Sequence, residues 1–356
     1  MTTRRRFIAS LLATGVAPRL GWAAVGNPAY LAAAKDLGGR FALYGLSEGG
    51  AVTFRVPLPA RGHAGAGHPR RAEAVAFARR PGLFALVIDC ASGDVLHRLA
   101  PPPGYHLNGH GVFAERGALL LTSEQKADSS EGMIGVWNVE AGYARAGSFS
   151  SGGIGPHEIR LMPDGATLVV ANGGVATDPD DRAKLNLATM RPNLSYLTLD
   201  GLLRDRFELD RDLHQNSIRH LAVRADGLVG FAMQWEGAPG AATPLLGLHR
   251  VGKAPVLAEA PLPDELAMQD YAGSVSFSGD GDELAITSPH GGRLHRFSDT
   301  GAFLGAISRS EICGLAPLRG GYLASDGLGG LMTIGRDGPA VLARLGCTWD
   351  NHIVTL

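Results

Sequence analysis

Short apolar runs in this chain come in pairs around a tight turn, and the pair recurs. The segments are HGVFAERGALLLTSE (His110 to Glu124), HEIRLMPDGATLVVANGG (His157 to Gly174), HLAVRADGLVGFAMQ (His220 to Gln234), SVSFSGDGDELAITS (Ser274 to Ser288), CGLAPLRGGYLASDG (Cys313 to Gly327) and the closing HIVTL (His352 to Leu356). Repetition of this kind signals a propeller or solenoid. Turn signals such as Pro163-Asp164-Gly165, Ala225-Asp226-Gly227 and Gly279-Asp280-Gly281 sit between the runs. Glycine and aspartate accept the backbone conformations of a hairpin turn, so each pair reads as a β-hairpin. Further β-like stretches follow, among them Met133 to Val139, Tyr196 to Leu199, Leu246 to Val251, Arg293 to Phe297 and Leu331 to Gly335. Four short strands per unit is the grammar of a propeller blade.

EAVAFARRPGLFALVID, ending at Asp89, fits the same template and supplies a seventh unit. Inner strands are then expected to begin near Glu73, His110, His157, His220, Ser274, Cys313 and His352. The last ends at the C-terminus without a partner, while FALYGLS (Phe41 to Ser47) and AVTFRVPL (Ala51 to Leu58) lack an inner strand of their own. The expected fold is therefore all-β, a seven-bladed β-propeller closed by N- and C-terminal strands in one blade. Closure of that kind removes exposed sheet edges. The longest interval holds the polar, turn-rich segment 176–194, expected as an insertion on the face where inner strands begin.

The chain opens MTTRRRFIASLLATGVAPRLGWAA, a basic stretch, an apolar run and small residues in order. That is an export signal, and Arg4-Arg5-Arg6-Phe7-Ile8 resembles the twin-arginine motif. Residues 1–24 are thus expected to be removed, leaving 25–356 as one periplasmic propeller domain without a membrane span. Their loss takes away four arginines and no acid, moving the formal charge from −1 to −5. A nucleic acid is an unsuitable partner for that balance. Cys90, Cys313 and Cys347 allow one disulfide in an oxidising compartment, with Cys313–Cys347 the pairing that neighbouring repeats favour.

Inner strands of a propeller line its axial channel, so repeat positions far apart in sequence converge. His110, His157, His220 and His352 are the expected ligands for a transition metal or a haem, because neutral imidazole binds zinc, copper, iron and nickel. Cys313 shares the repeat position. Glu124, Asn172 and Gln234 leave second strands towards the same mouth and are expected to orient the histidines or bind substrate. Glu158, Asp350 and Asn351 flank two of the histidines. Arg61 and His63 lie in a glycine-rich, turn-like segment, and Arg219 and Lys184 bring positive charge for a carboxylate or phosphate. His68, His97, His106, His214, His249, His290 and His295 lack the repeat position and are expected on surfaces or in turns. The chain carries no G-x-S-x-G elbow, P-loop, H-E-x-x-H or C-x-x-C-H motif.

The run GIGPHEIRLMPDGATLVVANGGVATDPDDRAKLNLATMRPNLSYL, with RGH at 61–63, EAVAFARRPG at 73–82, NGHGVF at 108–113, NSIRHLAV at 216–223 and WDNH at 349–352, resembles a twin-arginine-exported proteobacterial family catalogued as domain of unknown function 1513. The likeness spans essentially the whole mature chain. It implies a seven-bladed propeller of the quinoprotein or YVTN type. It also implies an iron-related periplasmic setting, since genes of that family adjoin imelysin-like and di-haem peroxidase-like genes. The chain departs from the family at TSEQ, 122–125, where Glu-Asn is expected and Gln125 stands.

Three functional classes follow. The leading one is a binding protein for a metal ion or small metal complex, such as an iron chelate or haem, in contact with another periplasmic protein of an iron-related system. A metal-assisted, lactonase-like hydrolase would need oxygen ligands for calcium. An interaction propeller would need its channel histidines satisfied by the protein itself.

Overall fold

Alternation of apolar and polar residues produces strands almost throughout the computed structural model, which describes residues 20–78, 85–181 and 183–356. Seven antiparallel sheets of four strands form the blades of a β-propeller. Their inner strands are Gly62–Gly67, Tyr105–Ala114, Pro156–Leu161, Asn216–Val223, Ser274–Phe277, Ile312–Leu318 and Cys347–Thr355, for blades one to seven. Hairpin turns sit where the sequence places them. At Pro163-Asp164-Gly165, Gly165 has φ 68°, and Asp164 Oδ1 accepts the amides of Ala166 and Thr167, each at 2.9 Å.

Blade seven joins the chain ends. Cys347–Thr355 is innermost, then come Tyr30–Asp36, Phe41–Leu46 and Val52–Leu58. The register pairs Tyr30 with Thr355, Ala32 with Ile353 and Ala34 with Trp349. The sequence reading finds two of these N-terminal strands and misses Tyr30–Asp36. That strand, YLAAAKD, is rich in alanine, which carries little β preference.

Blade one needs a second correction. Glu73 opens the second strand, Glu73–Ala78, and the inner strand is the preceding GHAGAG. Glycine and alanine give no hydrophobic alternation, so the strand is invisible to a pattern of large apolar residues. Side chains between adjacent blades form the core. Val169, Ala171, Leu194 and Tyr196 of blade three meet Ile218, Leu221, Phe231 and Met233 of blade four. Each blade therefore needs both neighbours to bury its faces.

The expected export signal lies, up to residue 19, outside the described residues. The described part holds Trp22–Val25 as a 3-10 turn, with Trp22 Nε1 donating to His68 O at 2.9 Å. No helix among the described residues is long and apolar enough to cross a membrane. All three cysteines are free and buried, so the Cys313–Cys347 pairing does not form. Segment 176–194 joins the second and third strands of blade three. It reaches Ser130 through the Thr177 amide, 3.0 Å, and Gln215 through Leu187 O, 3.2 Å.

Candidate metal centre

The inner strands bulge where the chemistry gathers. Register shifts fall between Gly62 and Gly65, Leu107 and Gly111, Pro156 and Ile159, Ile218 and His220, Ile312 and Leu315, and across Trp349 to Ile353. A bulge leaves extra residues outside the ladder and re-aims their side chains. His63, His110, His157 and His352 all lie within such shifts, and His220 closes one. Blade five, whose inner strand has no register shift, contributes Ser274 and no histidine.

The result is five imidazoles in one cluster, from the consecutive blades seven, one, two, three and four. Ring centroids lie 4.7 Å apart for His63–His352, His110–His157 and His220–His352, 4.9 Å for His63–His110 and His157–His220, and 5.0 Å for His110–His352. Gly109 makes the approach possible. It has φ +89°, and a Cβ there would stand 2.6 Å from His63 Cδ2.

Within the cluster His63, His110 and His352 form one group, and His110, His157 and His220 another. In each, one ligand atom per residue lies within 4.8 Å of the others. A neutral imidazole has one free lone pair, so His110 serves one ion at a time. His110 Nε2, His157 Nδ1 and His352 Nε2 are buried without a hydrogen-bond partner. Buried polar atoms are normally paired, and these three have unused donor or acceptor capacity in one place.

Two carboxylates hold the ring from outside. Glu158 Oε2 lies 3.3 Å from His220 Nδ1, accepts the Leu221 amide at 3.1 Å, and is paired through Oε1 with Arg160 at 2.7 Å. Asp350 accepts from Arg61 Nε at 2.6 Å and approaches His63 Nδ1 at 3.9 Å. Carboxylates in this position fix the orientation of a ligating imidazole. Burial first, then the neighbouring imidazoles, hold His110, His157 and His352 well below the ordinary histidine value of 6.5. Burial alone would raise Glu158, but Arg160, the bond from His220 and the nearby imidazoles outweigh it and hold the carboxyl well below the ordinary range. The site therefore presents neutral imidazoles beside an ionised carboxylate.

Other expected members stand elsewhere. Glu124 is fully buried inside blade two, where Arg145 grips it at 2.7 and 2.8 Å and Thr122 donates at 2.6 Å. Asn172 bonds Ser151, Asn193 and Ser195, which ties the strands of its own blade to Ser151 of blade two. Gln234 donates to Ala272 O at 3.3 Å, Lys184 and Arg219 both pair with Glu236, and Asn351 donates to Tyr271. Cys313 Sγ packs against Ser325 and the Asp350 carbonyl, at 3.4 and 3.5 Å. Each side chain has a local partner of its own, and exit position alone did not reveal it. His63 is promoted in turn from loop residue to full member of the ring. Asn108, two residues before His110, was not singled out; it is fully buried with neither side-chain atom partnered. Of the histidines expected on surfaces or in turns, His68, His249 and His295 are buried.

A cavity of about 170 Å³ adjoins the ring. Its head is His110, His220 and His352, and its walls include Glu158, Arg160, Gly111, Val112, Ile353 and Thr355. It thus runs towards the ends of the inner strands. The sequence reading puts the site at the opposite mouth, but there Ser217 donates to Gly173 O and Asn351 to Tyr271, packing blade against blade.

Residues 56–356 match a family described as "Protein of unknown function (DUF1513)". The chain belongs to that family. As a member of DUF1513 it carries the seven-bladed propeller that the resemblance implies. No functionally curated protein matches the chain. Among solved structures it is similar to Kuenenia stuttgartiensis hydrazine synthase, at 13% identity and TM-score 0.58, over 86% of this chain and 89% of the other. Likeness at that identity speaks for the fold alone.

Proposed function

We propose that this DUF1513 protein binds a single transition-metal ion on its axis, through imidazoles drawn from the cluster of five. The observation that carries the reading is the gathering of five imidazoles into two ligand groups that share His110, with buried nitrogens of His110, His157 and His352 left unpartnered. All-nitrogen ligation suits zinc, copper, iron or nickel, whereas calcium takes oxygen ligands. An oxygen-rich centre has no support here, because Glu124, Asn172 and Gln234 are engaged in separate places. The adjoining cavity is smaller than the ~300–1,000 Å³ of pockets for drug-sized molecules. That favours an ion or a compact chelate over haem. The twin-arginine-like signal supports a periplasmic site of action, and the family's setting supports iron as the metal and another iron-related periplasmic protein as partner.

Titration of the metal-free protein with Zn(II), Cu(II), Ni(II) and Fe(II), with elemental analysis, tests the reading. One equivalent is expected to bind. His110→Ala, which strikes both histidine groups, is expected to abolish stoichiometric binding, and Glu158→Gln to weaken it by about 10–100-fold. Absence of binding by the wild type, or a His110→Ala variant that binds like it, refutes the proposal.

A further inference from the structure

The five histidines do not all border the axial cavity. His110, His220 and His352 form its head, while His63 and His157 are absent from its lining. Each of the two histidine groups has two members at the cavity head and one behind it, so an ion held by either group has imidazoles on one side and open space on the other. Three protein ligands with one open position is the arrangement of reactive metal sites, as opposed to closed structural ones.

Charge balance indicates what fills that position. Neutral imidazoles contribute no negative charge. The two nearby carboxylates are already matched, Glu158 by Arg160 at 2.7 Å and Asp350 by Arg61 at 2.6 Å. A divalent ion would thus keep its two positive charges in a poorly solvated channel, where they act strongly. Arg160 lies on the cavity wall with its side chain 38% exposed, and adds a further cationic donor beside the Glu158 pair. The remaining walls named above are apolar or small, and about 170 Å³ is close to the ~150 Å³ that takes a benzene-sized molecule, so only compact species fit.

Resting on the metal reading above, we propose that the cavity admits a small anion, which binds the ring-held metal on its open side with Arg160 as a second anchor. The substrate or co-ligand class is accordingly a compact inorganic or small carboxylate anion of up to about six non-hydrogen atoms. Bulky chelates and sugars do not fit it.

Cobalt(II) reports this directly, because its visible absorption changes when a ligand is added or exchanged. The full-length protein is loaded with cobalt, and azide is titrated into it. Saturable change of the visible bands is expected, with azide binding at least about tenfold weaker in Arg160→Gln, since a hydrogen bond to a charged group is worth ~1.5–3 kcal/mol. Val112→Trp narrows the cavity at a wall residue that is not itself a metal ligand, and is expected to abolish the azide response with cobalt still bound. If cobalt binds and azide leaves the spectrum unchanged, the anion site is refuted while the metal centre stands. An undiminished azide response in Val112→Trp also refutes it. If cobalt fails to bind at all, the metal reading itself falls and this inference with it. Should Arg160→Gln lose cobalt by loosening Glu158, the Val112→Trp result alone decides.

Discussion

Histidines in this protein divide by their surroundings. Those on the axis stand together beside a cavity and two carboxylates, each paired with an arginine. His68 and His295 are also buried, but separately. Burial first, then the charge of Arg71, pushes His68 down to about 4, and burial pushes His295 down to about 4. Their folded values lie below the unfolded value near 6.5, so the unfolded chain takes up protons that the folded chain refuses. Stability is then complete above pH 6.5 and falls as pH drops towards 4, by on the order of 3 kcal/mol for each residue over the whole window. Urea midpoints at pH 7 and 4.5 should differ less in His295→Phe than in the wild type. Equal midpoint differences would show that this group does not contribute. Metal binding is expected to follow the same sign, holding between pH 7 and 6 and weakening at more acid values, because His110, His157 and His352 stay neutral below 6.5. Glu124 is a contrasting case. Its ion pair with Arg145 is internal to blade two, so Glu124→Ala should cost about 3–5 kcal/mol on unfolding. Metal affinity measured on the folded variant should be unchanged, and a loss of affinity there would restore Glu124 to the site.

Among the elements, the inner strands decide both closure and chemistry. Repeat position was enough to place His110, His157, His220 and His352 on inner strands, because the apolar residues after each histidine alternate visibly. His63 was hidden, since GHAGAG has no large side chain to mark a strand. The bulges were hidden as well, since an unpaired residue is defined only by the partner strand it fails to pair with. The closing strand makes the clearest test of the ring. Trp349 is 3% exposed and meets Tyr44 edge-on at 5.2 Å, so it pins the C-terminal strand to the N-terminal ones. Trp349→Ala is expected to cost about 3–5 kcal/mol in chemical denaturation. A loss below ~1 kcal/mol would mean that blade seven closes by backbone pairing with little help from packing.

For the molecule as a whole, the proposed metal centre would couple to the integrity of the ring. The five histidines come from blades seven, one, two, three and four, so a bound ion would tie several blades together at once. Ligation of the native state alone stabilises by ~2.7 kcal/mol at a free concentration one hundred times Kd. Thermal melts should therefore shift upward with the bound metal and return on adding a chelator, and His110→Ala should not respond. A melt indifferent to metal in the wild type would separate binding from the ring's integrity. Sequence by itself determined the number of blades, the hairpin in each and four of the five axial histidines, because those are written in local periodicity and turn residues. Only tertiary structure decided that His63 completes the cluster, that Glu158 and Asp350 brace it while Glu124 and Asn172 do not, and that the cavity lies beyond the ring towards the strand ends. Those outcomes depend on side-chain direction at bulges and on contacts between strands far apart in the chain, and neither is encoded in any one segment.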